Sequence, residues 1–234
     1  MGGFSNFALS FSIISVLTGV FSTYKIAIQA GGPAGLGLGW PLVCAGTLLV
    51  ALAMTELTSA FPTAGALYHW SALLGGASAG WMVAATNLVG QVAIVAAIDV
   101  AYAKALASTL ALGDAAAIPL FFAVLATHAL VNVRSIRLVA WLNDLSATVH
   151  VLGVLVLVGL LAAFGRAQPL AFLGHTGFTT RGDHAYSLGF LNALTLGMWT
   201  MTGFDASAHA SEETHDPARR APRGILASVV VRAV

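Results

Sequence analysis

The chain has 234 residues, of which 58% are hydrophobic and only 8% charged, whereas a soluble domain carries about 25% charged residues. A core of this length cannot hide that much apolar surface, so a water-soluble globular protein is excluded and a lipid bilayer is the expected surrounding. The net charge of +1 excludes the basic patch of a nucleic-acid-binding protein. A single cysteine, Cys44, excludes an internal disulfide and a cysteine-based zinc site.

The apolar residues fall into segments long enough to cross a membrane as helices, which requires roughly 20 residues each. Six segments meet this requirement, and the start of a seventh follows at 224–234: 7–28, 40–59, 81–106, 118–133, 146–164 and 188–210. Buried strands are excluded because strands are usually only about 3–10 residues long. The sequence therefore predicts an all-α integral membrane protein that forms one domain over 1–234.

The polar connections predict how the helices are oriented. Lys and Arg are slightly more frequent on the side of the predicted membrane where even-numbered helices end. Because positive charge favours the cytoplasm, a cytoplasmic N-terminus is predicted. Residues 1–6 contain no Lys or Arg, so the first apolar segment is expected to be a retained helix and not a signal peptide.

Two of the predicted helices contain interruptions rich in Gly, Ser and Thr, at 11–19 in helix 1 and at 197–205 in helix 6. Such residues permit a helix to break where it lines a cavity within the protein. Helices 1 and 6 correspond to each other in a five-plus-five inverted repeat, and matching interruptions indicate a transporter binding site. Alternatively, the small residues serve only close helix packing.

The motifs around these interruptions resemble those of the amino acid–polyamine–organocation permeases, with greatest similarity to the amino acid/choline branch that includes GABA and choline permeases. The resemblance is carried by residues 2–15, 56–65, 199–207 and 212–225. It implies a LeuT-like inverted-repeat fold of about twelve helices and an ion-coupled secondary transporter of the plasma membrane (the inner membrane, if bacterial). Members are about twice this length, so the chain is expected to be a truncated, N-terminal half of such a permease.

The resemblance also implies the positions of the site residues. Substrate would bind at the interruptions and at a polar residue of helix 3, which correspond here to Ser15, Val16, Leu17, Thr18, Gly19, Gln91, Trp199, Thr200, Met201, Thr202 and Gly203. Asp205 corresponds to a gating acid of some relatives. His150, on helix 5, is a candidate for coupling to protons because histidine changes charge near neutral pH. The coupling ion is expected to be H⁺ or Na⁺, with no cofactor and no resident metal.

Other functions receive less support from the residues. Gly76-Ala77-Ser78-Ala79-Gly80 matches the G-x-S-x-G nucleophile pattern, which leaves a membrane-embedded serine hydrolase as one alternative, although that motif requires a strand-to-helix turn. A non-functional permease fragment is a second alternative, and a channel would require a filter motif that the sequence lacks. The chain is therefore expected not to be an enzyme.

Overall fold

The computed structural model describes residues 1–13, 16–165, 168–176 and 183–233, and within these ranges the chain is helical with no strand. The principal helices are α1 (Gly3–Ile13), α2 (Val16–Gly37), α3 (Gly39–Ala60), α4 (Ala66–Thr109), α5 (Ala117–Arg134), α6 (Ile136–Phe164), α7 (Asp183–Met201), α8 (Ala206–His209) and α9 (Pro217–Ala233). Short 3-10 turns precede α5, follow α6 and separate α8 from α9.

Four of the described helical segments are long and apolar enough to cross a membrane: Gly39–Ala60, Ala66–Thr109, Asp114–Arg134 and Ile136–Phe164. The prediction of an all-helical membrane protein is confirmed at this level, while the count of six spans and the inverted repeat stay predictions. Two helices extend well beyond the predicted spans. Helix α4 begins at Ala66 and α6 at Ile136, both earlier than the predicted starts at 81 and 146.

The described chain divides into two compact units, one formed by Met1–Ala64 with Leu142–Val234 and the other by Gly65–Trp141. In the first unit, α2 packs along α7, and α9 packs against both α1 and α3. A buried cluster of Ala8, Phe11 and Ala147 joins α1 to α6. This unit contains both of the interrupted helices, so it is the one that positions the candidate site.

Gly31-Gly32-Pro33 is predicted to end the first helix, and the helical backbone is indeed broken there, within α2. Gly32 is non-helical, and its φ of 63° lies in the left-handed region that glycine adopts at little cost. Pro33 falls in the first turn after the bend, where its missing N–H is tolerated. The next amide, Ala34 N–H, donates to the carbonyl of His175 at 3.0 Å, so the 170–176 segment satisfies a backbone group that the bend would otherwise leave unpaired.

Close approach of α2 and α7 depends on small residues. A Cβ atom added to Gly31 or Gly35 would lie only 2.8 or 2.9 Å from the Cβ of Ala193 on α7. Such contacts are the usual means of helix packing in membranes, where small side chains let the backbones approach each other.

In the second unit, α4 packs against α5. Helix α4 bends at Gly76, where φ is 83°, and Ser78 lies on the helix just beyond the bend. Ser78 is thus not placed on the strand-to-helix turn that a nucleophile elbow needs. Asp99 of α4 is 2% exposed, and its carboxylate lies 3.2 Å from Nδ1 of His128 on α5.

Candidate functional site

The interruption of helix 6 lies between α7 and α8. Helix α7 ends at Met201, residues 202–205 form a turn, and α8 begins at Ala206. Gly203 has a φ of 86°, a conformation that glycine tolerates and other residues rarely adopt. The break therefore occupies the C-terminal part of the predicted segment 197–205, and the helix is continuous before it.

The predicted interruption of helix 1, at 11–19, includes two residues, 14 and 15, that lie outside the described residues. Ser15, a predicted substrate contact, is one of them. Helix α1 is described to Ile13 and α2 from Val16. Val16, Leu17, Thr18 and Gly19 have helical backbone in α2.

The two interrupted helices are in direct contact. A Cβ atom added to Gly203 would lie 2.6 Å from Cγ2 of Ile13, so the helix 6 turn fits against the end of α1 only because this residue has no side chain. Ser10 of α1 reaches across the same contact. Its hydroxyl donates to the carbonyl of Phe204 at 2.8 Å and accepts from the N–H of Ser207 at 2.8 Å.

Ser10 thereby supplies the bonds that the helix 6 backbone lacks at its break. Phe204 C=O and Ser207 N–H flank the start of α8, where intrahelical partners are missing. Hydroxyl side chains commonly satisfy such freed groups in membrane helices. Ser10 and Ser207 are both fully buried, so these bonds form away from water, where an unpaired backbone group is costly.

A second set of bonds extends this contact by one turn of α1. The Asn6 side-chain amide donates to Ser207 O at 3.1 Å and to Thr214 Oγ1 at 3.0 Å. The Ser207 hydroxyl donates to the carbonyl of Asn6 at 2.8 Å. Asn6 and Ser10 are four residues apart and therefore lie on one face of α1. Two polar residues four positions apart on an apolar helix are a sequence signal for such a polar face.

An open cavity of about 430 Å³ adjoins the helix 6 break. One side of it is formed by α3, and the other by the end of α7 and the turn, including Met198, Met201, Thr202, Gly203, Phe204 and Asp205. Trp199 does not line this cavity, and Thr200 lines a second one, of about 380 Å³, between α2, α3 and α7. The predicted segment 199–203 thus faces two cavities of the first unit.

Asp205 lies at the end of the turn and forms a pair with His209. Its Oδ2 is 3.4 Å from Nε2 of His209, one helical turn further on. The other ring nitrogen, Nδ1, lies 3.3 Å from the carbonyl of Ala64. Since a carbonyl only accepts, Nδ1 carries a proton. Nε2 then faces a carboxylate, an arrangement that is favourable only when the pair holds a second proton.

His209 of this pair, together with Glu212, also contacts the segment that follows α3. His209 contacts the carbonyl of Ala64, and the amide of Ala64 donates to Glu212 Oε1 at 3.4 Å. Ala64 is therefore held against the end of helix 6 through both its N–H and its C=O. The contacts of His209 and Glu212 with Ala64 depend on tertiary structure, so the local sequence does not predict them.

The remaining predicted residues lie elsewhere. Gln91 belongs to the second unit, where its amide donates to Asn87 Oδ1 at 3.4 Å and it lines a small apolar cavity between α4 and α5. His150 of α6 bonds within its own helix, with Nδ1 2.6 Å from the carbonyl of Ser146. Within the described ranges, no group of three or more His, Cys, Asp or Glu side chains is arranged to hold a metal ion.

Long apolar helices, together with a helix 6 break that packs against α1, are typical of a polytopic membrane protein. The sequence matches the amino acid permease family over residues 1–234, and the chain belongs to that family. It is 37% identical to amino-acid permease BAT1 of Arabidopsis thaliana, over 97% of this chain and 48% of that protein. It is 34% identical to the BAT1 homolog of Oryza sativa subsp. japonica, over 96% of this chain and 47% of that one.

A more distant relative is also named as an amino-acid permease. Amino-acid permease 2 of Neurospora crassa is 27% identical over 94% of this chain and 43% of its own length. The chain thus spans about half the length of the curated relatives it matches. No solved structure matches it significantly. The predicted family is confirmed, and the relatives are named as permeases rather than as enzymes.

Proposed function

We propose that this chain provides the substrate-binding part of a secondary active transporter for amino acids or related amines, such as GABA or choline. Family membership supports an amino acid as the substrate. The observation that supports the proposal is the contact between α1 and the helix 6 break, in which Ser10 satisfies the broken backbone of helix 6. Broken helices that meet inside a membrane protein are a recurrent device for binding small charged solutes.

The proposed site combines the segments predicted from sequence. The substrate carboxylate would lie near the backbone N–H groups of the predicted interruption at 15–19. The segment 199–203 would contribute the walls, and Asp205 would face the substrate ammonium or act as a gate. Alternating access would then require one set of helices to move against another around this point.

Coupling to protons is supported by the Asp205–His209 pair. The carboxylate and the imidazole lie 3.4 Å apart, so a proton taken up by the imidazole would turn this contact into an ion pair. Binding or release of that proton would change the strength of the contact between His209 Nδ1 and the carbonyl oxygen of Ala64, which are 3.3 Å apart. His150 remains a second candidate for proton coupling, and Na⁺ the alternative ion. The proposed location is the plasma membrane, or the inner membrane of a bacterium, with a cytoplasmic N-terminus.

The test is uptake of labelled amino acids, GABA and choline by the protein expressed from its complete coding sequence and reconstituted in liposomes. Uptake driven by an imposed proton or sodium gradient is expected for at least one of these solutes. Absence of uptake for every solute, with either gradient, would contradict the proposed function.

Asp205→Asn is expected to lower uptake about tenfold, since the loss of one charge-assisted contact costs roughly 1.5–3 kcal/mol. The matched control is Asp114→Asn, because Asp114 is an exposed carboxylate before α5 in the other unit. Initial uptake rates, normalised to protein amount, provide the measurement. Normal uptake by Asp205→Asn would remove this residue from the mechanism while leaving the transport proposal in place.

A further inference from the structure

Arg232, near the end of α9, is a buried cation. The residue is only 3% exposed. Within the described part of the chain, no carboxylate lies within ion-pairing distance of its guanidinium, and the pairs that do form involve histidines. A buried charge without a partner is costly, so the contacts that stabilise Arg232 must come from other groups.

Those contacts are the backbone carbonyls of both interrupted helices. One terminal nitrogen, Nη2, donates to the carbonyl of Ser10, and the other, Nη1, donates to the carbonyl of Thr202 at 3.3 Å. The guanidinium carbon also lies 5.8 Å from the centre of the Phe11 ring, within range of a cation–π contact. One side chain therefore touches both sides of the junction between helix 1 and helix 6.

The Thr202 carbonyl is at a negative helix end. Thr202 directly follows the last residue of α7. The C-terminal ends of helices carry negative partial charge and favour a cation. Half-helix ends and unwound carbonyls of this kind are the groups that coordinate a metal cation in transporters with broken helices.

We infer that Arg232 is a fixed internal cation that joins α1 to the helix 6 break through the carbonyls of Ser10 and Thr202. The inference rests on the proposed function and identifies Arg232 as a positioning residue for the substrate site. Since the positive charge is covalently attached to α9, the Ser10 and Thr202 carbonyls need no dissolved cation to hold them together. Motion of α9 would be transmitted directly to both interruptions.

Chemical rescue tests this inference in the protein made from its complete coding sequence. Arg232→Ala is expected to lower uptake about tenfold, because it removes the charge-assisted hydrogen bonds to the Ser10 and Thr202 carbonyls. Millimolar guanidinium should restore part of the uptake, since it supplies the same charge and N–H donors. Tetramethylammonium, which has the charge but no N–H donor, should not. Arg223→Ala is the matched control, because Arg223 is an exposed arginine on the same helix.

The melting temperature in detergent gives a readout that does not depend on transport. Guanidinium should raise the melting temperature of Arg232→Ala and leave that of the wild type and of Arg223→Ala unchanged. This measurement decides the inference even if the proposed transport activity is absent. Wild-type uptake by Arg232→Ala, or a loss that guanidinium restores in neither measurement, would overturn it.

If the alanine variant does not fold, the comparison of Arg232→Lys with Arg232→Met decides instead. Nε of Arg232 bonds to no acceptor among the described residues, so an ammonium with three donors can serve the same two carbonyls. Arg232→Lys should retain a higher melting temperature and more uptake than Arg232→Met, which has similar length but no charge. Equal behaviour of the two variants would overturn the inference.

Discussion

Replacement of Gly203 by alanine is expected to abolish most of the uptake and to lower the melting temperature by several degrees. Two independent costs add at this position. A side chain at a φ of 86° costs about 1–3 kcal/mol. The added Cβ would also lie 2.6 Å from Cγ2 of Ile13, and overpacking of this kind costs typically about 1–3 kcal/mol. The helix 6 turn must therefore move away from α1.

A double variant separates the two costs. Ile13→Ala removes the contacting methyl group, so Ile13→Ala/Gly203→Ala should recover the part of the stability that was lost to the clash, but not the part lost to the backbone conformation. Gly159→Ala is the matched control, since a Cβ there meets nothing within 4 Å. If Gly203→Ala has the melting temperature and uptake of Gly159→Ala, the helix 6 turn does not touch α1 as described.

Much of this fold follows from composition alone. Long apolar segments with few charges permit little other than membrane helices, because a bilayer leaves backbone groups no partner outside the helix itself. The approximate positions of α3 and α5 follow directly from the apolar segments at 40–59 and 118–133. The break in helix 6 was also predictable, since Gly203 follows Thr200 and Thr202 and lies two residues before Asp205.

Other features required tertiary information. Gly31-Gly32-Pro33 is a typical helix-breaking sequence and does break the helix at Gly32, but local sequence could not predict that the carbonyl of His175 would accept from Ala34 N–H beyond the break. The bonds of Ser10 join residues about 200 positions apart, which no local pattern reveals. Arg232, after three valines, resembles an arginine that extends to the membrane surface. Only the structure shows it turned inward, onto the Ser10 and Thr202 carbonyls.

The paired role of Ser10 leads to the second large effect, expected for Ser10→Ala. This variant removes the acceptor of Ser207 N–H and the donor to Phe204 C=O at once. Each buried group left unpaired costs about 1–3 kcal/mol, so the variant should lose several degrees of melting temperature and most of its uptake. The start of α8 would no longer be held against α1, and the substrate site would lose its alignment.

Ser12→Ala serves as the control, because it removes a hydroxyl from the same helix that makes only one long bond, to the carbonyl of Asn143 at 3.4 Å. It should lower the melting temperature slightly and leave uptake nearly unchanged. Thermal unfolding followed by size-exclusion fluorescence, together with initial uptake rates, gives both quantities for each variant. Equal, small losses for Ser10→Ala and Ser12→Ala would mean that water or another residue can satisfy the broken backbone, and that Ser10 does not hold the two interruptions together.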